Sequence, residues 1–230
     1  MSNMKISKKT FDIFKNFASI RSSIIVEPGN VIRTISPAKN IMAEARVDED
    51  FDTKFAIFDL GKFIATTTMF ANPDFGFKDK YVVIKSPTGS SVSYFYADEK
   101  LVEKADRTIK MPDITVEFDL AASQISEILK ASSVLQLDTI CIRPTDSGEI
   151  EIVSFDKKIG LNGSSNQFSL ILKETTKKKF EIHIDIDLLK MMNGDYHVEI
   201  GGTLVAKFTG KTDPLTYWIA LRSESKITNK

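Results

Sequence analysis

The sequence lacks the features that would indicate a secreted or membrane protein. One of its 230 residues is cysteine, Cys141, so no internal disulfide can form, and its apolar neighbours fit a reducing compartment. No apolar run approaches the length of a membrane span, and the first residues lack the apolar stretch of a signal peptide. We therefore expect a soluble, cytosolic protein.

The chain also lacks a net charge. Its 31 Lys and Arg residues balance 31 Asp and Glu residues, whereas proteins that hold DNA through phosphates alone usually carry a net positive charge. Any role with nucleic acid must therefore depend on where the charges lie. The hydrophobic fraction of 42%, with 16 Phe, is sufficient for sizeable cores.

Recognisable catalytic and metal-binding motifs are missing as well. The two histidines, His183 and His197, alternate with apolar residues in predicted strands, which is typical of structural histidines. The GKT run at 210–212 lacks the earlier glycine of a P-loop. Asp185 and Asp187 could be paired catalytic carboxylates, but their place before a predicted helix favours capping of its amides. The sequence predicts no enzyme activity, cofactor or metal.

What the sequence does contain is an internal repeat. Residues 7–21, SKKTFDIFKNFASIR, have the periodicity of an amphipathic helix, with phenylalanines on one face and lysines on the other. The run 13–15, IFK, returns as ILK at 128–130, an offset of half the chain. Each copy precedes an apolar strand, one containing Ile25 and the other Ile140. This pattern predicts two similar domains.

Each half is predicted to contain a helix, strands, a second helix and further strands. The four helices are expected at 7–21, at 60–70, at 121–133, and from Asp185 or Asp187 to the Asn-Gly pair at 193–194. Short runs separated by Pro, Gly and Asn predict antiparallel strands. A charged run at 105–113 is expected to connect domains at 1–104 and 114–230. The predicted fold class is α+β, with antiparallel sheets and two helices in each domain.

Every predicted helix has at least one lysine opposite its apolar face. Lysine is common on solvated helix faces, but four such helices side by side would form a basic strip on a neutral protein. Such a strip attracts phosphate without reading base sequence. Met69, on the same helix as Lys62, departs from the pattern because it places an apolar side chain toward water.

Several segments resemble the DNA polymerase sliding clamps of T-even-type bacteriophages. The resemblance includes MKISKKTFDIFKNFASIRSSIIVEPGNVI at the amino terminus and LKASSVLQLDTICI in the second half. LLKMMNGDYHVEI, the VAKF run and the closing YWIAL strand are similar to the carboxy-terminal part of the same family. The resemblance covers nearly the whole chain in order. Residues 72–113 are the least similar part, and their place in the family's fold is assigned by elimination.

The resemblance implies a ring of three identical subunits and six similar domains, with helices lining the hole and sheets forming the rim. A helix of about 13 residues is about 20 Å long, comparable with the width of a duplex. Topological linkage would hold the ring on double-stranded DNA, while weak phosphate contacts would permit sliding. Matched to the hole-lining helices of the family, the DNA-facing residues are Lys8, Lys9, Lys15, Lys62, Lys130 and Lys190.

The resemblance also implies how subunits and partners meet. Edge strands at 92–97 and 167–173 would pair between neighbouring subunits, although each strand could instead cover its own core. The residues expected at this interface are Tyr94, Tyr96, Phe168 and Leu170. Carboxy-terminal tails of the polymerase and other partners would dock near the connector, at Ile109, Met111 and Pro112. An ATP-driven clamp loader and late-transcription factors would be further partners, in the cytoplasm of the infected bacterial host.

Two other functions stay open from the sequence. A virion or scaffold β-protein could use the repeat only for assembly, and it would show no retention that depends on DNA length. A hydrolase could use Asp185 and Asp187, in which case alanine at these positions would abolish an activity. The leading expectation is a non-enzymatic processivity ring for a phage polymerase.

Overall fold

The chain divides into two compact units, Met1–Arg107 and Thr108–Lys230. The structure is a computed structural model that describes residues 4–106, 109–111, 113–202 and 204–227. The first unit combines two α-helices, and the second unit one, with antiparallel sheets in the described residues. The fold class is therefore α+β, as the sequence predicts.

The described residues of the first unit contain two α-helices and seven strands. β1 pairs with β4, β2 pairs with β3, and β5, β6 and β7 form a sheet in that order, all antiparallel. In chain order the elements are α1 (Lys8–Ile20), β1 (Ile24–Val26), β2 (Gly29–Ile35), β3 (Ile41–Phe51), β4 (Phe55–Ile57), α2 (Leu60–Thr67), β5 (Asp74–Phe77), β6 (Tyr81–Lys85) and β7 (Ser91–Phe95).

α1 forms because apolar residues recur at helical spacing and because its first turn is capped. The Ser7 hydroxyl accepts a hydrogen bond from the Thr10 amide at 3.2 Å, which is the usual N-cap bond. Phe14 and Phe17 are 1% and 0% exposed, and α1 packs on α2 and β3. Full burial of a phenylalanine side chain contributes about 1.5–3 kcal/mol. The apolar face therefore fixes the helix on its unit and leaves Lys15 in water.

The described residues of the second unit contain one α-helix and nine strands. β11, β10, β9, β12 and β16 form one antiparallel sheet in that order, and β15, β14, β13 and β8 are consecutive in another. In chain order the elements are β8 (Ile114–Leu120), α3 (Ala122–Leu135), β9 (Thr139–Pro144), β10 (Glu149–Phe155), β11 (Phe168–Thr175), β12 (Phe180–Asp185), β13 (Tyr196–Gly201), β14 (Val205–Gly210), β15 (Leu215–Ala220) and β16 (Lys226–Ile227).

The single cysteine lies in the core of the second unit. Cys141 is in β9 and is 0% exposed. Burial raises the pKa of its thiol to about 12, because a low-dielectric interior disfavours the charged thiolate. The thiol is therefore protonated at neutral pH and has no access to solvent.

The prediction of a fourth α-helix is wrong. Ile186–Leu188 form a single 3-10 turn, and residues 189–195 have no helix or strand. The Met192 amide donates to the Tyr217 hydroxyl at 3.0 Å, and the Tyr196 hydroxyl donates to the Met192 carbonyl at 2.7 Å. An α-helix would bond these peptide groups to residues four positions away. Hydrogen bonds to the two tyrosine hydroxyls therefore stabilise a non-helical conformation of this segment. A 3-10 turn stands where the second helix of the carboxy-terminal domain was predicted.

The predicted capping role of the two aspartates before that segment is also wrong. No side-chain capping bond is present at Asp185, which accepts a hydrogen bond from Arg222 at 2.6 Å instead. Asp187 is exposed within the 3-10 turn. An ion pair with Arg222 also leaves Asp185 poorly suited to a paired catalytic role.

We predict that Tyr217→Phe weakens this irregular segment. Both tyrosines are at most 2% exposed, so loss of the Tyr217 hydroxyl leaves the part-buried Met192 amide without this acceptor, at a cost of about 1 kcal/mol. Hydrogen exchange at the Met192 amide should accelerate, and urea denaturation should show the loss. The control is Tyr81→Phe, since Tyr81 is only half-buried. Unchanged exchange at Met192 would contradict this account.

Candidate nucleic-acid interface

α1 brings together three of the lysines predicted to face DNA. Lys8 and Lys15 are exposed and Lys9 is half-buried. The Lys15 ammonium lies 3.1 Å from an Asp12 carboxylate oxygen, but an exposed ion pair of this kind holds its lysine only weakly. The helix therefore presents mobile positive charge on its solvent face.

α2 and α3 each expose one of the predicted lysines. Lys62 is exposed on α2, which ends at Thr67 rather than at 70 as expected, so Met69 lies beyond the helix and is 69% exposed. Lys130 is exposed on α3, where Glu127 and Val134, one helical turn away, are exposed too. The solvent face of α3 is therefore less basic than that of α1.

Lys190 is exposed but does not lie on a helix. It follows the 3-10 turn of the second unit. It lies in the irregular segment in which Met192 forms hydrogen bonds with the hydroxyls of Tyr196 and Tyr217. The prediction that Lys190 lies on a helix is therefore wrong. In the described residues, three α-helices rather than four carry five of the six predicted lysines.

A buried carboxylate from β3 ties down the amino end of α1. Glu49 is 7% exposed, and its two carboxylate oxygens accept hydrogen bonds from the Ser7 amide and the Thr10 hydroxyl, both at 2.5 Å. In a capping box, a Glu three residues after the N-cap would satisfy the N-cap amide; here that position holds Thr10. Sequence reasoning missed this residue, and the only signal was an acidic residue at an inward position of an alternating strand.

α3 begins in a similar way, with a carboxylate from a distant segment. Asp195 accepts a hydrogen bond from the Ala122 amide at 2.8 Å, and the Gln124 side-chain oxygen accepts one from the Ala121 amide at 2.9 Å. A cavity of about 370 Å³ opens beside this helix end, and Lys173 and Lys211 are among its lining residues. The start of α3 is therefore polar and accessible, and its Ala121 and Ala122 amides bond to side chains of the protein.

Asp119 stands on the wall of the same cavity. Its carboxylate oxygens lie 2.6 Å from the Lys211 ammonium and 2.9 Å from the His197 ring. The hydrogen bond from Lys211, and then that from His197, hold the pKa of Asp119 below its usual value. Asp119 therefore keeps its negative charge in mildly acidic solution.

β7 is the outermost strand of its sheet, and its aromatic residues point in two directions. The Tyr94 ring packs on Phe63 at 5.2 Å, and the Tyr96 ring stacks on Phe55 at 5.6 Å, so both face their own unit. Phe95 lies on the opposite face, 5.2 Å from the Tyr81 ring, and is 67% exposed. The apolar side chain offered to solvent is therefore one that sequence reasoning did not choose.

β11 is likewise outermost in its sheet and shows the same alternation. Phe168 and Leu170 are half-buried on the face that also carries the buried Leu172. Ile171 points the other way and is 53% exposed. A displacement of one residue along a strand reverses the face of a side chain, so Phe95 and Ile171 could have been considered from their alternation alone.

The residues predicted to hold partner tails are only partly described. Ile109 and Met111 are half-buried in the short described stretch 109–111. Pro112 lies outside the described residues. The partner pocket therefore stays a prediction.

A family model described as gp45 sliding clamp, C terminal, matches residues 117–223. The sliding clamp of Vibrio phage KVP40 is 29% identical over 221 residues, which cover 94% of this chain and 98% of that protein. The sliding clamp of Enterobacteria phage T4 is 29% identical over 229 residues, with 96% and 98% covered. The chain is therefore similar to bacteriophage sliding clamps over nearly its whole length.

The clamp fold is also found in cellular proteins. A solved structure of the C-terminal region of FEN-1 bound to A. fulgidus PCNA matches with a TM-score of 0.73, 12% sequence identity, and coverage of 98% of this chain and 100% of that one. At this identity the likeness shows the fold alone. It is consistent with the α+β architecture described above.

Metal-binding clusters and membrane-spanning helices are both absent from the part of the chain that the structure describes. Among those residues, no group of three or more His, Cys, Asp or Glu side chains is arranged to hold a metal ion. None of the helices in the same ranges is both long enough and apolar enough to cross a membrane.

Proposed function

We propose that this protein is a sliding clamp and the processivity factor of a phage DNA polymerase, a non-enzymatic homotrimeric ring that encircles duplex DNA. The observation that carries the proposal is the similarity to phage sliding clamps over nearly the whole chain. The lysine-bearing helices support it, because they offer charge without groups arranged to read bases. In this proposal residues 1–104 and 114–230 are the two clamp domains, joined by 105–113.

The DNA contact in this proposal is made by lysine side chains on the helix faces. Lys8, Lys15, Lys62 and Lys130 are exposed, and their flexible ammonium groups suit contacts that form and break as the ring moves. α1 contributes more of these lysines than α2 or α3, so it should supply most of the electrostatic attraction. Lys9 and Lys190 complete the proposed set.

Ring closure is proposed to join β7 of one subunit to β11 of the next. Both strands are outermost in their sheets, and outermost strands carry unpaired backbone groups suited to pairing with another chain. Phe95 and Ile171 add exposed apolar surface to these edges. Tyr94, Tyr96, Phe168 and Leu170 would then support the edges from the inner side.

The partners in this proposal are the phage polymerase, an ATP-driven clamp loader and late-transcription factors, in the cytoplasm of the infected host. Their carboxy-terminal tails are proposed to dock at Ile109, Met111 and Pro112. A separate loader agrees with the absence of a P-loop motif from the sequence.

We predict that Lys15→Glu combined with Lys130→Glu weakens stimulation of the polymerase by about tenfold or more, because each reversal replaces an attraction to phosphate by a repulsion. The length of products on primed circular DNA measures the effect, and native mass should still show the trimer. The matched control reverses Lys85 and Lys158, which are exposed outside the α-helices. Unaltered processivity in the first double variant would remove the lysine mechanism.

Retention on DNA of different topology tests the ring itself. After loading by the clamp loader, the protein should remain on closed circular DNA and leave linear DNA through its ends. Native mass spectrometry should show three copies of the 25.8 kDa chain. Equal retention on both DNA forms would contradict encirclement and would favour a scaffold protein.

A further inference from the structure

We propose that Asn193 is a site of spontaneous deamidation, which the fold leaves open while it protects the other Asn-Gly pair of the chain. Asn-Gly occurs twice in the sequence, at 162–163 and at 193–194. The product at Asn193 is a mixture of aspartate and isoaspartate, and the isoaspartate loosens the segment that precedes β13. The inference goes beyond the proposed function and does not depend on it.

Deamidation is an attack by the main chain on its own side chain. The Gly194 amide nitrogen loses its proton to a base in solution and bonds to Asn193 Cγ, and the side-chain nitrogen takes a proton from water and leaves as ammonia. Water then opens the five-membered imide ring at one of its two carbonyls. Opening at Cγ gives aspartate, whereas opening at the main-chain carbonyl gives isoaspartate. A following glycine favours the attack, because it has no Cβ to obstruct it.

The pair at 193–194 is open to this reaction. Asn193 is exposed, and among the described residues the Gly194 amide has no hydrogen-bond acceptor. A Cβ placed on Gly194 would have a single neighbour within 4 Å, the edge of the Tyr196 ring at 3.9 Å. The attacking nitrogen therefore has no hydrogen bond to give up, and the space around the glycine is free.

The pair at 162–163 is equally accessible but is held in a tight turn. Asn162 is exposed, yet the Gly163 amide donates a hydrogen bond to the Gly160 carbonyl at 3.1 Å. A Cβ placed on Gly163 would lie 2.5 Å from the Ile159 carbonyl oxygen. Here the nitrogen must first give up its hydrogen bond, and the close packing against Ile159 opposes the rotation that ring closure requires.

Asn193 and Gly194 lie between two anchored residues. On one side the Met192 peptide groups form hydrogen bonds with two tyrosine hydroxyls, at 3.0 and 2.7 Å. On the other side the Asp195 carbonyl accepts a hydrogen bond from the Lys211 amide at 2.9 Å. Isoaspartate lengthens the main chain between these anchors by one C–C bond, about 1.5 Å. The hydrogen bonds at both anchors cannot keep their geometry, so the segment loosens.

The test compares the two Asn-Gly pairs within one molecule. The full chain is incubated folded at mildly alkaline pH, and peptide mapping by mass spectrometry follows the conversion of Asn193 and Asn162 with time. A protein isoaspartyl methyltransferase identifies the isoaspartate product. A second sample is incubated unfolded in guanidinium chloride, where the protection by the turn at 162–163 is lost and both pairs are open to attack.

We expect Asn193 to convert about fivefold faster than Asn162 in the folded protein, the rate factor of one hydrogen bond that must be broken before the attack. In the unfolded sample the two rates should be similar. Equal rates in the folded protein, or faster conversion of Asn162, would overturn the proposal. So would a folded Asn193 that stays intact while the unfolded chain converts.

Two variants test the loosening. Asn193→Gln should stay unconverted, because its longer side chain would have to close a six-membered ring. Asn193→Asp has the charge of the product without the added bond. Hydrogen exchange at the Met192 or Lys211 amide should be about fivefold faster in the aged unmodified protein than in either variant, because a hydrogen bond at one anchor is weakened. Equal exchange in the aged protein and in Asn193→Gln would overturn the proposed loosening.

Discussion

Replacing Phe17 by alanine is expected to lower the free energy of unfolding by about 3–5 kcal/mol. Phe17 is 0% exposed on the buried face of α1, so the change removes apolar burial and leaves a cavity in the first unit. A domain is stable by only about 5–15 kcal/mol, and this single change therefore removes a large part of the total. Equilibrium denaturation in urea, followed by circular dichroism, measures the loss.

Phe58→Ala provides the matched control for Phe17→Ala. The chemical change is identical, but Phe58 is 61% exposed, and exposed substitutions usually alter stability by less than about 0.5 kcal/mol. If both variants lost the same stability, α1 would not be packed as the structure describes. The comparison thus tests the burial that orients the lysine face of α1.

Phe95→Asp is expected to convert the proposed trimer into single chains of 25.8 kDa. In a head-to-tail ring every interface contains the same two surfaces, so one substitution affects all three interfaces. A carboxylate at an exposed apolar position of β7 would be desolvated without a partner on ring closure, which is costly. Native mass spectrometry and sedimentation measure the assembly, and a persistent trimer would show that β7 is not at the interface.

Two further variants sharpen the interface experiment. Leu101→Asp is the control, because Leu101 and Phe95 are both 67% exposed but Leu101 lies in the 3-10 turn Glu99–Leu101 that follows β7. It should leave the proposed trimer intact.

Ile171→Lys should break the ring from the β11 side, and combining it with Phe95→Asp should restore part of the assembly if the two side chains meet. No recovery would place them apart within the interface.

Much of the fold could be predicted because its signals are local. α1 follows from the spacing of Phe14 and Phe17 and from Ser7 before it, all within one short stretch. The absence of the predicted fourth helix could not be foreseen in that way. Its apolar spacing is helical, but the Tyr196 and Tyr217 hydroxyls form hydrogen bonds with the peptide groups of Met192. Tertiary hydrogen bonds overrode the local preference.

The candidate site was predictable in part for a similar reason. Lysines opposite an apolar stripe are visible in the sequence, whereas Glu49 meets Ser7 only after β3 and α1 have packed. At β7 the pattern itself was ambiguous, because Tyr94, Phe95 and Tyr96 are all aromatic. Only the rings of Phe63 and Phe55 on one face show which residues point inward.

The burial of Cys141 makes the chain convenient for fluorescence work. An exposed thiolate is the nucleophile that attacks a thiol-reactive dye. The only native thiol is 0% exposed, and its pKa is raised to about 12. A substitution such as Ser126→Cys, at an exposed position of α3, would therefore give a single labelling point. A dye attached there could report the movement of individual molecules without prior removal of any native residue.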